Sequence, residues 1–456
     1  MFPMLSSLPL ASAAQGVAGW QIGPVPVEFI LFGLTLVAVA IFHHYTLQVA
    51  LTGLVAITAY KVGITDFPMV QHLFGHGGQS GEWVILLNLF ALLTGFALLA
   101  DHFEKSHVPA QLPAILPNDW KGGFVLLICV MVISSFLDNI AAALIGASVA
   151  GVVFKQKVHI GYLAAIIAAS NAGGAGSVVG DTTTTMIWIA GGSPLDVLHG
   201  FVGSFAAVAI FGVVAAKQQH AYQPIVKDAT QAPKVDWGRL GIVALILVLA
   251  IVANASVNVV EEFKPYASVF PWIGAAVWVA VLIGASFRKT SWGLMPSAVK
   301  GSIFLLSLVT CASMMPVERL PPASAALTMG LGFISAVFDN IPLTALAITQ
   351  DGYDWGVLAY AVGFGGSMIW FGSSAGVAVS NVYPQAKSAV AYLKAGWHVS
   401  LAYVVGFGVM MLVVGWNPHP LVRVAAPKAA IVAPATPGTQ APQAAPAPVP
   451  VAPTAP

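Results

Sequence analysis

Long apolar runs separated by short polar stretches follow one another from Val27 to Trp416. A helix needs roughly 17 to 25 mostly apolar residues to cross a bilayer. The pattern predicts ten such spans, at 27–43, 45–64, 83–100, 158–190, 199–216, 239–259, 267–286, 300–316, 355–386 and 396–416. Two of them, 158–190 and 355–386, are too long for a single crossing and are interrupted, by SNAGGAGSVVGD and by FGSSAGVAVSN. Non-helical backbone is tolerated at membrane depth only where it is buried in protein or lines a cavity. Both segments are therefore read as broken helices.

A different object lies between Lys121 and Phe154. As one helix it would be about 50 Å long, against a hydrocarbon core of roughly 30 Å. Lys121 stands at one end and Lys155 and Lys157 at the other. Positive charge stays on the cytoplasmic side, so the segment enters and returns as a re-entrant hairpin. Its tip falls in SSFLDNIAAALIG, at Asp138 and Asn139. Residues 322–350 repeat the arrangement in SAVFDNIPLTALAI, with Asp339 and Asn340 at the tip and Glu318, Asp351 and Asp354 flanking it, which places this hairpin on the outer side. With the N-terminus outside, all 18 Lys and Arg except Lys61, Lys264, Arg319, Arg423 and Lys428 fall on the cytoplasmic side. Lys61 is the one that sits awkwardly. Both termini are expected outside.

The two halves correspond. At the offset that carries Asp138 onto Asp339, Ser134, Asn139 and Ile140 fall on Ser335, Asn340 and Ile341, and the broken helices align. Five crossings precede the second half, so the repeats are inverted, the sequence pointer to a secondary transporter. The predicted fold is an all-α polytopic membrane protein of inverted repeats, each with about five transmembrane helices, one of them broken, and one re-entrant hairpin. Its parts are an N-terminal segment (1–26), a first repeat (27–216), a cytoplasmic linker (217–238), a second repeat (239–416) and an Ala/Pro-rich tail (417–456) that cannot build a core and is expected to be disordered.

Composition narrows the class further. The chain of 456 residues is 58% hydrophobic and 8% charged, with a mean hydropathy of +0.86; soluble proteins carry roughly 25% charged residues. A net charge of +1 speaks against nucleic acid as a partner; the lipid bilayer is the implied one. The two cysteines, Cys129 and Cys311, lie in apolar runs and imply neither a disulfide framework nor a metal site. Residues 1 to 60 lack Lys and Arg, although ASAA at 11–14 leaves signal cleavage open.

An ionisable group inside a membrane is costly and usually lines an ion or proton path. Two Asp-Asn tips meeting at mid-membrane, together with unwound carbonyls and hydroxyls, make an oxygen-only cage that suits hard cations such as Na+ or Li+. One carboxylate cannot fully hold a cation and a proton at once, which is the minimal physics of exchange. The bland reading, two ordinary turns, leaves the matched recurrence unexplained. In the breaks, Ser170, Asn171, Thr182, Ser373, Ser374 and Asn381 are candidate ligands, while Gly173 and Gly174 serve either the ion or close helix packing. Asp181 either caps the half-helix beginning at DTTTT or joins the ion site; its counterpart in the second half is Val382. Lys394 and His398 share a helix face and read as a snorkelling lysine and a packed histidine more readily than as a pH relay. His72 and His76 have no matching ligands nearby in the sequence.

FLDNIAAALIG, SNAGGAGSVVGDTTTTMIW, FDNIPL and GSSAGVAVSN together resemble the NhaD-type sodium/proton antiporters of the ion transporter superfamily, over most of residues 27–416. The resemblance implies a homodimer in a bacterial-type inner membrane, with a scaffold of outer helices and a moving unit of hairpins and broken helices. It implies Na+ or Li+ export driven by entering protons, with no cofactor and no enzymatic activity. By position, it implies an ion site of Asp138, Asn139, Asp339 and Asn340, surrounded by Ser170, Asn171, Asp181, Thr182, Ser373 and Ser374. Gly176 departs from the pattern, which leads one to expect a bulkier residue there. Two other readings compete. Arsenite or carboxylate transport belongs to the same superfamily, although two acids repel a dianion. An intramembrane aspartyl protease would use two Asp sharing a proton, but expects Gly-x-Gly-Asp where residues 178–181 read Val-Val-Gly-Asp.

Overall fold

The apolar runs form helices almost throughout. The structure, a computed structural model, describes residues 19–421 apart from 43–44, 77–78, 228–232, 261, 264–265 and 268. Ahead of the linker come α1 (Val27–Ile41), α2 (Thr46–Ile64), α3 (Met69–Phe74), α4 (Trp83–Glu104), α5 (Leu112–Ile115), α6 (Trp120–Ser134), α7 (Asn139–Val153), α8 (Ile160–Gly174), α9 (Thr182–Ile189), α10 (Pro194–Leu198) and α11 (Gly200–Tyr222). After it come α12 (Trp237–Val259), α13 (Trp272–Phe287), α14 (Met295–Ser313), α15 (Ala325–Ser335), α16 (Asn340–Gln350), α17 (Trp355–Ala359), α18 (Ser374–Val382), α19 (Ala389–Ala395) and α20 (Trp397–Val413). The all-helical expectation meets two small exceptions among the described residues, the antiparallel ribbons Gln21–Ile22 with Val25–Pro26 and Gly75–His76 with Gln79–Ser80. Residues 1–18 and 422–456, which hold most of the predicted N-terminal segment and tail, lie outside the described residues.

The chain is a multi-pass membrane protein, but its helices are less uniform than ten spans suggest. Five helices among the described residues qualify as crossings by length and apolarity, and six if α19 and α20, bent by 62° at their junction, count as one. The rest fall short for identifiable reasons. α1 and α13 have 15 and 16 residues, about 22 to 24 Å of helix. The two overlong runs are broken, as the glycines predict: 158–190 becomes α8 and α9 separated by residues 175–181, and 355–386 becomes α17, a π-helical turn Tyr360–Phe364, and α18.

Residues 120–153 do turn back. α6 and α7 are joined at Ser135–Asp138, and both outer ends meet the linker side. Lys217 lies 5.1 Å over the Trp120 ring, and the Val226 N–H donates to Val153 O at 2.8 Å. α15 and α16 form the second hairpin, closed at its base by Gln350 Nε2 donating to Pro321 O at 2.7 Å. The linker end also holds Asp236, which caps α12 and accepts from Arg288 Nε at 3.2 Å. At the same end Lys105 pairs with Asp101 at 2.8 Å. The opposite end is closed by the stretch after α20. There Asn417 N–H donates to Asp354 Oδ2 at 2.9 Å, Leu421 N–H donates to Asp351 Oδ1 at 2.9 Å, and His419 Nε2 sits 2.8 Å from Asp196 Oδ2.

Lys61, the awkward charge, is buried and paired. It is 7% exposed, pairs with buried Glu28 at 3.8 Å and lies 4.6 Å over the Phe67 ring. Phe201 fills the space beside Gly176: a Cβ there would come within 2.3 Å of its ring. The bulk expected at Gly176 is thus supplied from α11.

The first break approaches the first hairpin backbone to backbone. A Cβ on Gly173 would lie 2.0 Å from Met131 O, and one on Gly180 would lie 2.1 Å from Ser134 O. These glycines are there for close approach. Gly180→Ala is expected to destabilise the purified protein by about 1–3 kcal/mol, the usual penalty for overpacking. Gly301→Ala, in open space on α14, should be close to neutral; paired thermal melts in one detergent check both.

Candidate ion site at the hairpin tips

Each tip is made by a helix that stops and a helix that starts. Asp138 caps α7, its Oδ2 accepting from Ile140 N–H at 3.2 Å, and Asp339 caps α16, its Oδ1 accepting from Ile341 N–H at 3.0 Å. The breaks deliver two more helix starts. Ser373 Oγ accepts from Gly376 N–H at 3.2 Å and caps α18. Asp181 occupies the N-cap position of α9 with no side-chain cap bond. Four helix N-termini therefore converge, each carrying roughly half a positive charge. The sequence also leads one to expect unwound carbonyls there. Part of that carbonyl capacity is taken up within the protein: Ser134 Oγ donates to Ser170 O at 2.6 Å, and Ser177 Oγ donates to Ser135 O.

Asp181 stands at the centre. Asn139 Nδ2 donates to its Oδ1 at 3.0 Å, and Asn340 Nδ2 approaches its Oδ2 at a longer 3.5 Å. The tip asparagines, entering from opposite ends of the bundle, thus meet on one carboxylate that is 3% exposed. Asn139 Nδ2 also donates to Asn171 Oδ1 at 3.0 Å. Asn171 Nδ2 in turn donates to Ser367 Oγ at 2.9 Å and Ser373 Oγ at 3.2 Å, linking the two broken helices. Ser374 Oγ donates to Asp339 Oδ2 at 2.9 Å.

The ten residues singled out from the sequence are not equivalent. Asp138, Asn139, Asp181, Thr182, Asn340 and Ser374 border one cavity. Asn171 and Ser373 lie behind them in the amide relay, and Asp339 is held by Ser374 and its own helix. Ser170 points elsewhere: its hydroxyl donates to Ile167 O at 2.8 Å in its own helix. Ser367 was missed. It lies between the π-helical turn and the second break, in GFGGSMIW, where one serine among glycines gives no periodic signal. His398 is fully buried, in keeping with a packed residue.

No protein-family model matches the chain. Among curated proteins, "Sodium/proton antiporter 1" of Arabidopsis thaliana is 27% identical over 321 residues, 62% of this chain and 52% of the relative. "Sodium/proton antiporter 2" of the same plant is 25% identical over 335 residues, 62% of this chain and 72% of the relative. "Na(+)/H(+) antiporter NhaD" of Vibrio parahaemolyticus is 27% identical over 313 residues, 57% of this chain and 72% of the relative. The match spans about half the length of the first of these. The resemblance to NhaD-type antiporters read from the motifs is thus supported by similarity over more than half of the chain.

The relay separates structural from local roles. Asn171→Ala removes one amide, taking one partner from each of Asn139, Ser367 and Ser373, and is expected to cost about 1–3 kcal/mol. Ser170→Ala removes a bond within one helix turn and is expected to cost less than about 1 kcal/mol. Chemical denaturation of the two purified variants checks the ranking.

Proposed function

We propose that the chain exchanges Na+ (or Li+) for protons across a bacterial-type cytoplasmic membrane. The observation that carries this reading is Asp181 held between Asn139 and Asn340, with Asp138 and Asp339 capping the adjoining helices. Buried carboxylates are stable in a membrane only when paired with positive charge. The converging helix N-termini offset part of that charge. A proton or a small cation offsets the rest, so each displaces the other. The donors on hand are carboxylate, amide and hydroxyl oxygens, which suit hard cations. Asp138, Asn139, Asp181, Thr182, Asn340 and Ser374 are the first candidates to touch the ion, with Asp339 as a charge reserve and Asn171 and Ser373 as positioning residues.

The relatives' printed names support the exchange. On this reading two inverted halves, 27–216 and 239–416, joined by the linker at 217–238, expose a central site alternately to the two sides. On this reading both termini face outward and the protein works as a homodimer. Arsenite transport is the second reading within the same fold, because neutral arsenite is not repelled by acids. The protease reading finds no support in the tips, where each tip aspartate accepts the N–H of its own helix.

In everted vesicles, Na+ or Li+ is expected to collapse an imposed pH gradient, and arsenite is not. Asp181→Asn and Asp138→Asn are each expected to lower the rate at least tenfold, and Ser170→Ala to leave it within about twofold. Wild-type rates in both aspartate variants would remove the mechanism.

A further inference from the structure

The ion site has an entrance far larger than an ion needs. A cavity of about 810 Å³ runs from Asp138 and Asp181 toward the linker end of the bundle, between α4, α7 and α14. At roughly 30 Å³ per water this is room on the order of two dozen waters. It falls within the roughly 300–1,000 Å³ typical of sites for organic ligands. Its walls are largely carbon: Leu93 and Phe96 on α4, Leu144 and Val149 on α7, and Leu305 on α14. A hydrated alkali cation gains nothing from such walls.

Charge is confined to the two ends. Asp138 and Asp181 lie at the floor, while Asp101 and Glu104 stand at the mouth. Asp101 is already engaged by Lys105 at 2.8 Å and by Ser291 Oγ at 2.8 Å. Asp181 is engaged by both tip asparagines. Asp138, by contrast, is engaged by backbone N–H groups at the start of its own helix, from Ile140 at 3.2 Å and from Asn139 and Ala141. The floor thus offers an acceptor with negative charge beneath an apolar sleeve.

We propose that this cavity is a binding site for amphiphilic organic monocations, with an ammonium head on Asp138 and an apolar body between α4, α7 and α14. The apolar body supplies affinity through burial, and the charge sets orientation. Such a compound occupies the proposed ion path and competes with Na+. The site uses Asp138, as the exchange reading does, but binding does not require exchange to be correct.

The test uses the full-length protein in nanodiscs with Ala298→Cys, on the α14 wall, and the parent protein as labelling blank because it retains Cys129 and Cys311. The probe is 4-phenylbutylammonium, and its neutral counterpart is 4-phenylbutan-1-ol. At equal concentration the ammonium compound is expected to slow labelling by a charged maleimide at least tenfold, and the alcohol less than twofold. Adding Asp138→Asn is expected to abolish the protection. Equal protection by the alcohol would reduce the cavity to a generic apolar void. Protection by neither, or protection that survives Asp138→Asn, would overturn the proposal. The alcohol comparison needs only the cysteine variant and stands if Asp138→Asn fails to fold. Protection without Na+-driven exchange removes the antiport reading alone; exchange without protection removes this site alone.

Discussion

Asp181 is reached by amides from both hairpins, and the rest of the middle of this molecule follows from that meeting. For two asparagines to arrive from opposite ends, each hairpin must stop halfway and turn back. The helices beside them must break at the same depth, so that the tips have somewhere to sit. Broken helices expose backbone groups, and in a membrane those groups must be satisfied internally. The serines at the tips do this: Ser134 donates to Ser170 O, as Ser335 Oγ donates to Val362 O at 2.7 Å. Glycines at 173 and 180 let the backbones approach closely enough for it.

Much of this was legible in the sequence because membrane constraints are severe. A lone acidic residue in an apolar run, lysines at both ends of a segment too long to cross, and glycine clusters in overlong spans have few physical solutions. Both breaks were read correctly from those signs, and each Asp-Asn pair does lie at a turn between two helices. Fewer single helices than apolar runs are long enough to cross unaided, because α1, α13 and the broken helices are apolar enough to read as spans and short as individual helices. Apolarity reports the surroundings of a segment more faithfully than its length in helix.

The site was legible as a neighbourhood and less so as a hierarchy. Repetition drew attention to Asp138 and Asp339, which the structure makes helix caps. The residue between them, Asp181, has Val382 as its counterpart, and a pattern read from symmetry undervalues what breaks it. Ser170 and Ser373 looked alike as break residues, yet one hydroxyl turns into its own helix and the other receives Asn171. Direction of that kind depends on which face of a short half-helix is presented, and neither composition nor spacing specifies it.

The stretch after α20 has a mechanical meaning. Through Asn417, His419 and Leu421 it fastens α10, which precedes the linker, to the loop between α16 and α17, which follows it. Three bonds in so short a stretch act as a staple across the two parts of the chain, on the face away from the wide cavity. Any rearrangement that keeps the staple must carry those two pieces as one rigid body, and freedom to shift is left to the helices it does not hold.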